Sequence, residues 1–247
     1  MTDAAAEQLL YECDFDDGDL SDWLHEGRGS ISPHDGALLM ETTDEPPRSA
    51  VSWLKRPFEA PLRFAYDFKP LPEGTAERAC CILMACATPM QHDSLLDFER
   101  DGDYGTYAWS RTMTVYTISY KRHHDPDEQF RRANIRILGG DTPPEWAAGV
   151  GGRSDDLWHQ WNVQTMLATE PDRTAYFDGH FHRVELLVVP GDAGTEMTFS
   201  IDGTEIVSCV DDGSDFSEPL TGGWFGFRHF VGPERCLYDN VRITRPA

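Results

Sequence analysis

Between His182 and Cys209 the chain reads HRVELLVVPGDAGTEMTFSIDGTEIVSC, with apolar side chains at every second position. Val184, Leu186 and Val188 alternate with Glu185 and Leu187, and Met197, Phe199 and Ile201 alternate with polar residues. A period of two places alternate side chains on opposite faces of a strand, so each segment buries one face. Asp202-Gly203 suits a tight turn that requires positive φ, which sends the following strand back along its predecessor. The stretch therefore predicts hairpins packed on a core by one side.

Short alternating runs of this kind recur through the sequence. Strands are predicted over Ala37–Thr42, Ser49–Leu54, Leu62–Lys69, Arg78–Ala87, Thr106–Met113, Val115–His123, Asn134–Leu138, His159–Met166, His180–Val189, Glu196–Ile201, Thr204–Cys209, Gly223–Phe230 and Leu237–Thr244. Turn residues punctuate them, as in Pro72–Gly74 and Pro190–Gly194. Helix is expected only near Ala4–Leu10 and Pro144–Ala148. Strands without intervening amphipathic helices predict an all-β, two-sheet antiparallel sandwich. Residues 1–247 are read as one domain, an ordinary length for such a fold, and 40% hydrophobic with 11% aromatic content is enough for a core.

The chain carries 43 Asp+Glu against 21 Lys+Arg, a net charge of -22. Such a surface repels nucleic acid and anionic membranes, so neither is an expected partner. The first residues, MTDAAAEQLL, lack a basic segment followed by an apolar one, and no stretch approaches a membrane span. The six cysteines lack CxxC spacing, and Cys80 and Cys81 sit in the apolar run ACCILMACA. Reduced thiols and a cytoplasmic location are the expectation.

Against this acidic background, Gly102–Ile137 gathers Arg111, Lys121, Arg122, Arg131, Arg132 and Arg136, with His123 and His124. Alternation puts Tyr107, Trp109 and Arg111 on one strand face, Thr117, Ser119, Lys121 and His123 on another, and Arg132, Asn134 and Arg136 on a third. If the three faces coincide, they form a floor of aromatic, cationic and amide groups. Flat rings suit the C–H faces of sugars, and the planar guanidinium suits a carboxylate. The expected partner is an acidic oligo- or polysaccharide. A solvated loop in which these cations pair with Asp125, Asp127 and Glu128 is the alternative. Near the C-terminus, Phe225 and Phe227 read as core, which turns Trp224 and Arg228 to the opposite face and His229 inward.

FDDGDLSDW at Phe15–Trp23, FSIDGTEI at Phe199–Ile206, and GGWFGFRHF with LYDNVRI at the end resemble jelly rolls of the concanavalin A-like lectin/glucanase superfamily. TYAWSRTMTVYTISYKR and RRANIRI resemble, within it, a YesU-like family associated with breakdown of pectin-type, uronate-containing glycans. The resemblance implies a jelly roll whose first and last strands are neighbours, and a carbohydrate-active role. It also implies a structural Ca²⁺: pairing of the terminal strands would bring Asp14 and Asp16 to Asp239, and hard oxygen ligands suit calcium.

Two reactions fit such a groove. In β-elimination of a uronate glycan, Arg111, Arg136 or Asn134 would neutralise the carboxylate, and Tyr107, Tyr116 or His123 would move the proton, with Lys121 beside them. Trp109, Ser119, Asn134, Trp224 and Arg228 would hold substrate. Glycoside hydrolysis needs two carboxyl groups about 5–5.5 Å or about 6.5–9.5 Å apart, and Asp97, Glu99 and Asp101 recur at period two. A lectin-like binder without turnover is the third reading. A zinc site from His159, His180 and His182 is a minor alternative.

Overall fold

The computed structural model describes residues 7–43, 49–73, 75, 80–90, 92–97, 112–120, 132–139, 164–171, 178–214, 218–230 and 233–247. They form strands numbered β1 to β16 along the chain, arranged as two antiparallel eight-stranded sheets. The first sheet runs β14 (Thr204–Asp211), β13 (Gly194–Ile201), β12 (His182–Gly191), β7 (Leu62–Pro70), β16 (Glu234–Arg245), β4 (Ala37–Thr42) and β3 (Ser30–His34), with β1 (Gln8–Cys13) also paired to β16. The second runs β11 (Gln164–Pro171), β10 (Arg132–Leu138), β9 (Met113–Tyr120), β8 (Cys80–Pro89), β15 (Gly222–Phe230), β5 (Ser49–Leu54) and β2 (Trp23–Gly27), with β6 (Phe58–Glu59) on β15. This is a jelly-roll sandwich.

The alternation explains the layers. Val184, Leu186 and Val188 lie opposite Ile201, Phe199 and Met197, all buried between the sheets. Asp202 and Gly203 have φ of 52° and 74°, the paired positive values that a two-residue hairpin turn demands. At the centre, Phe227 of the second sheet stacks on Tyr238 of the first with ring centroids 4.0 Å apart, and Phe225 stacks on Phe64 at 4.8 Å. Each such pair adds about 0.5–1.5 kcal/mol beyond its buried area.

The chain begins and ends on neighbouring strands: Gln8 pairs with Arg245 and Cys13 with Val241. The helix expected up to Leu10 is therefore corrected, because Gln8–Cys13 is recruited as β1 by the edge of β16. The helix expected at Pro144–Ala148 lies outside the described residues. The strand expected over Val115–His123 is found over Val115–Tyr120, and of the one expected over Thr106–Met113 only residues 112 and 113 are described. Met113 opens β9, which ends at Tyr120, and residues 106–111 and 121–123 lie outside the described residues. Of the strand expected over His159–Met166, Gln164–Met166 lie in β11, which continues to Pro171, and residues 159–163 lie outside the described residues. No helix among the described residues is long and apolar enough to cross a membrane. All six cysteines carry free thiols.

Candidate functional site

The second sheet has a face turned away from the first, and its register organises that face into rows. Across β2, β5, β15, β8, β9, β10 and β11, one row reads Glu26, Val51, Arg228, Ile82, Ser119, Asn134, Thr169. The next reads Leu24, Trp53, Gly226, Met84, Thr117, Arg136, Met166. The intervening residues Phe227, Leu83, Ile118 and Ile135 face the inter-sheet core, whereas Val51, Trp53, Ile82, Met84 and Trp224 form a separate apolar cluster outside it. One end of the face is therefore aliphatic and aromatic, and the other is polar.

The polar end is a connected network. Arg136 Nη1 donates to Ser119 Oγ at 2.9 Å, Asn134 Nδ2 approaches the same oxygen at 3.4 Å, and Thr169 Oγ1 donates to Asn134 Oδ1 at 2.6 Å. Ser119 and Asn134 are buried, at 1% and 5% exposure, while Arg136 and Thr169 are half-buried and Arg132 is exposed. The buried hydroxyl thus orients the guanidinium, and the amide in turn holds the hydroxyl. Arg132, Asn134 and Arg136 share a face, as alternation requires. Arg136 lies four residue steps along the strand from Arg132, about 13 Å of backbone.

Ser119, Asn134, Arg136, Trp224 and Arg228 do share this face. Trp224 and Arg228 are both 8% exposed, so they support the floor rather than offering open surface. Tyr116 is the correction. It projects into the inter-sheet core, donates to Asp211 Oδ2 at 2.5 Å and accepts from the Leu220 backbone N–H at 2.9 Å. Burial, then the Asp211 carboxylate, hold its hydroxyl far above the ordinary tyrosine range, so it cannot shuttle a proton on the opposite face. Tyr107, Trp109, Arg111, Lys121 and His123 lie outside the described residues. Asp97 is exposed in a turn rather than on a strand, and Glu99 and Asp101 lie outside the described residues.

Sequence reasoning missed Trp53, Glu26 and Thr169. Trp53 lies against Gly226, where an added Cβ would come within 2.8 Å of both its ring and the Ser52 carbonyl oxygen. Trp53 Nε1 donates to Glu26 Oε2 at 2.8 Å. The glycine in WFGF was the available signal, since a strand-interior glycine marks close approach. His229 turns inward as expected, with Nε2 3.0 Å from Tyr238 Oη. His182 is a correction to the histidine cluster: its Nδ1 meets Asp202 Oδ2 at 2.8 Å, and its Nε2 lies 3.3 Å from Asp178. His180 precedes the strand and is exposed, and His159 lies outside the described residues.

On the first sheet, a depression of about 550 Å³ is lined by Glu12, Asp14, Asp67, Arg183, Asn240 and Arg242. Pairing of β1 with β16 brings the aspartates of the first turn toward Asp239. The Asp239 carboxyl is raised above its ordinary range, first by burial and then by Asp67, Asp16 and Asp14. Asn240 Nδ2 bridges Asp67 Oδ2 at 2.8 Å and Asp239 Oδ2 at 3.2 Å. Arg183 Nη1 shares the depression with these carboxylates, 3.1 Å from Asp67 Oδ1 and donating to the Asn240 carbonyl at 3.0 Å.

Residues 8–141, which span β1 through β10, match the family model described as Domain of unknown function (DUF1961). The chain belongs to the DUF1961 family. A relative of this DUF1961 chain, the uncharacterized protein YesU of Bacillus subtilis (strain 168), is 26% identical over 229 residues, covering 91% of this chain and 90% of that protein. Its fold is similar to that of a B. subtilis protein of unknown function with a galectin-like fold, at TM-score 0.72 and 24% identity over 99% of this chain and 98% of that one. It is also similar to an endo-β-1,3-glucanase from Pyrococcus furiosus, at TM-score 0.59 and 12% identity over 98% and 95% of the two chains.

Proposed function

We propose that this DUF1961 chain is a carbohydrate-active protein that recognises a uronate-bearing oligosaccharide on the outer face of its second sheet. The observation that carries this reading is the half-buried Arg136, bonded to buried Ser119, which buried Asn134 also contacts, on a face it shares with exposed Arg132. A fixed guanidinium presents paired donors that match a carboxylate, and a second cation about 13 Å along the strand favours an oligosaccharide over a single sugar. Fold likeness to the glucanase supports a saccharide partner.

The finer chemistry we assign is β-elimination. Arg136 would neutralise the uronate carboxylate and so make the neighbouring C–H acidic. Tyr107 and His123 carry over as the groups that would take that proton and return one to the leaving oxygen, with Arg111 and Lys121 adding positive charge and Trp109 a stacking surface. Calcium at Asp14, Asp16 and Asp239 belongs to this reading as a structural ion that would relieve the repulsion around Asp239. A panel of uronate glycans tests the assignment. Ultraviolet absorbance of an unsaturated uronate is the expected product signal. New reducing ends without that absorbance would instead favour hydrolysis, for which Glu26 is the one carboxylate the two described rows supply. Binding with neither signal would reduce the reading to a lectin.

A further inference from the structure

Four metal-ligating side chains converge at one end of the inter-sheet core, away from the face discussed above. Cys81 on β8 and His229 on β15 are direct cross-strand partners in the second sheet. Glu234 and Cys236 stand two residues apart on β16 of the first sheet, so they point the same way. All four are fully buried. One ligand atom from each lies within 4.8 Å of the other three. Cys81 Sγ is 3.6 Å from Cys236 Sγ and 2.8 Å from Glu234 Oε1, and Cys236 Sγ is 3.8 Å from that oxygen.

These spacings are those of a tetrahedral ion's ligand shell. Zinc bonds of about 2.3 Å to sulfur and about 2.1 Å to oxygen place two thiolates about 3.8 Å apart, and a thiolate and a carboxylate oxygen about 3.6 Å apart. Two of the three measured separations agree to about 0.2 Å; the third must open by about 0.8 Å, within reach of side-chain rotation at Cys81 or Glu234. Two thiolates and an imidazole select a thiophilic metal and exclude calcium and magnesium, which take oxygen ligands. Tyr238 Oη, 3.0 Å from His229 Nε2, fixes the imidazole ring as an outer-shell partner does in zinc proteins. Four protein ligands with no access to water describe a closed, structural site.

We propose that Cys81, His229, Glu234 and Cys236 bind one zinc ion that staples the two sheets together where the chain crosses from β15 to β16. The ion then offsets two of the three negative charges that the carboxylate and thiolates bring into the core, and it adds the sheet-to-sheet bond that cross-strand hydrogen bonds cannot make. The site neither touches nor requires the saccharide face, so its fate is independent of that reading.

Metal analysis of the full chain, purified without chelator from zinc-supplemented medium, should find one zinc per chain. Chelation should lower the melting temperature by about 5–15 °C, and zinc alone should restore it. Cobalt added to the apo-protein should give thiolate-to-metal charge-transfer bands with intense tetrahedral d–d bands. Cys236→Ser should lose the charge-transfer intensity in part and the zinc. Glu234→Gln, which keeps the side chain's size, should bind zinc at least tenfold more weakly if Cys236→Ser fails to fold. Apo-protein that takes up neither zinc nor cobalt overturns the proposal, as does a melting temperature indifferent to both chelator and zinc. Non-reducing mass analysis that finds Cys81 and Cys236 joined in freshly purified protein would also overturn it.

Discussion

Arg136 Nη1 and Ser119 Oγ lie 2.9 Å apart, joined across β10 and β9 in a network that continues through Asn134 to Thr169. The hydroxyl fixes one edge of a guanidinium whose residue is half-buried. Arg136→Lys keeps the charge and loses the fork, so it should weaken uronate binding about tenfold or more. Arg136→Ala should cost about 1.5–3 kcal/mol of binding energy, and Ser119→Ala a smaller part of that. Calorimetric titration of the three variants checks the order. Equal affinities in all three would remove Arg136 from the site.

Tyr116→Phe should leave glycan binding unchanged, because the ring belongs to the inter-sheet core. It should destabilise the fold by about 1–3 kcal/mol, since it strips a partner from the Asp211 carboxylate, which is 2% exposed. Urea unfolding measures the loss. A drop in turnover at unchanged stability would return Tyr116 to the chemistry.

Gly226→Ala places a methyl group against Trp53 and the Ser52 carbonyl at 2.8 Å, closer than packed atoms tolerate. One of the two must move, at an expected cost of about 1–3 kcal/mol in urea unfolding. Gly203→Ala meets no atom but must hold a left-handed φ of 74°, so its cost should be conformational, about 1 kcal/mol.

His25 is pushed down to about 4 from an ordinary 6.5, first by burial and then by nearby His229. The unfolded chain therefore takes up this proton before the folded one does. The stability contributed by neutral His25 is complete above pH 6.5 and is lost as pH falls toward 4. Relative to His25→Gln, the wild type should lose up to about 3 kcal/mol across that window. Parallel stability curves for the two proteins would contradict the shift.

Calcium should raise the melting temperature of the wild type, and Asp239→Asn should remove most of the rise. The reason is the raised Asp239 carboxyl, whose neighbours Asp67, Asp16 and Asp14 lose their mutual repulsion when a cation enters. A thermal shift indifferent to calcium in both proteins would remove the ion from the account.

Much of the fold is written in the alternation. Ala37–Thr42 and Ser49–Leu54 coincide with β4 and β5, because each strand has one face in the core and sharp polar boundaries. β2 and β3 were not legible. Both are edge strands, WLHEG and SISPH, with little apolar alternation, and Pro33 is tolerated at an edge where its missing N–H breaks no ladder. The shared face of Ser119, Asn134 and Arg136 followed from period two. Tyr116 has the opposite parity from Ser119 on the same strand, so its inward direction was implicit in the sequence. The convergence of Cys81 with Glu234 and Cys236 could not be read, because it depends on how two sheets meet rather than on any local spacing.

The saccharide face is tested most directly by titrating the protein with oligogalacturonate and with its methyl ester, which lacks the charge. Arg136 as a carboxylate fork predicts at least tenfold tighter binding of the free acid in the wild type, and no preference in Arg136→Ala. Equal affinity for acid and ester in the wild type, or a preference that survives Arg136→Ala, would contradict the assignment.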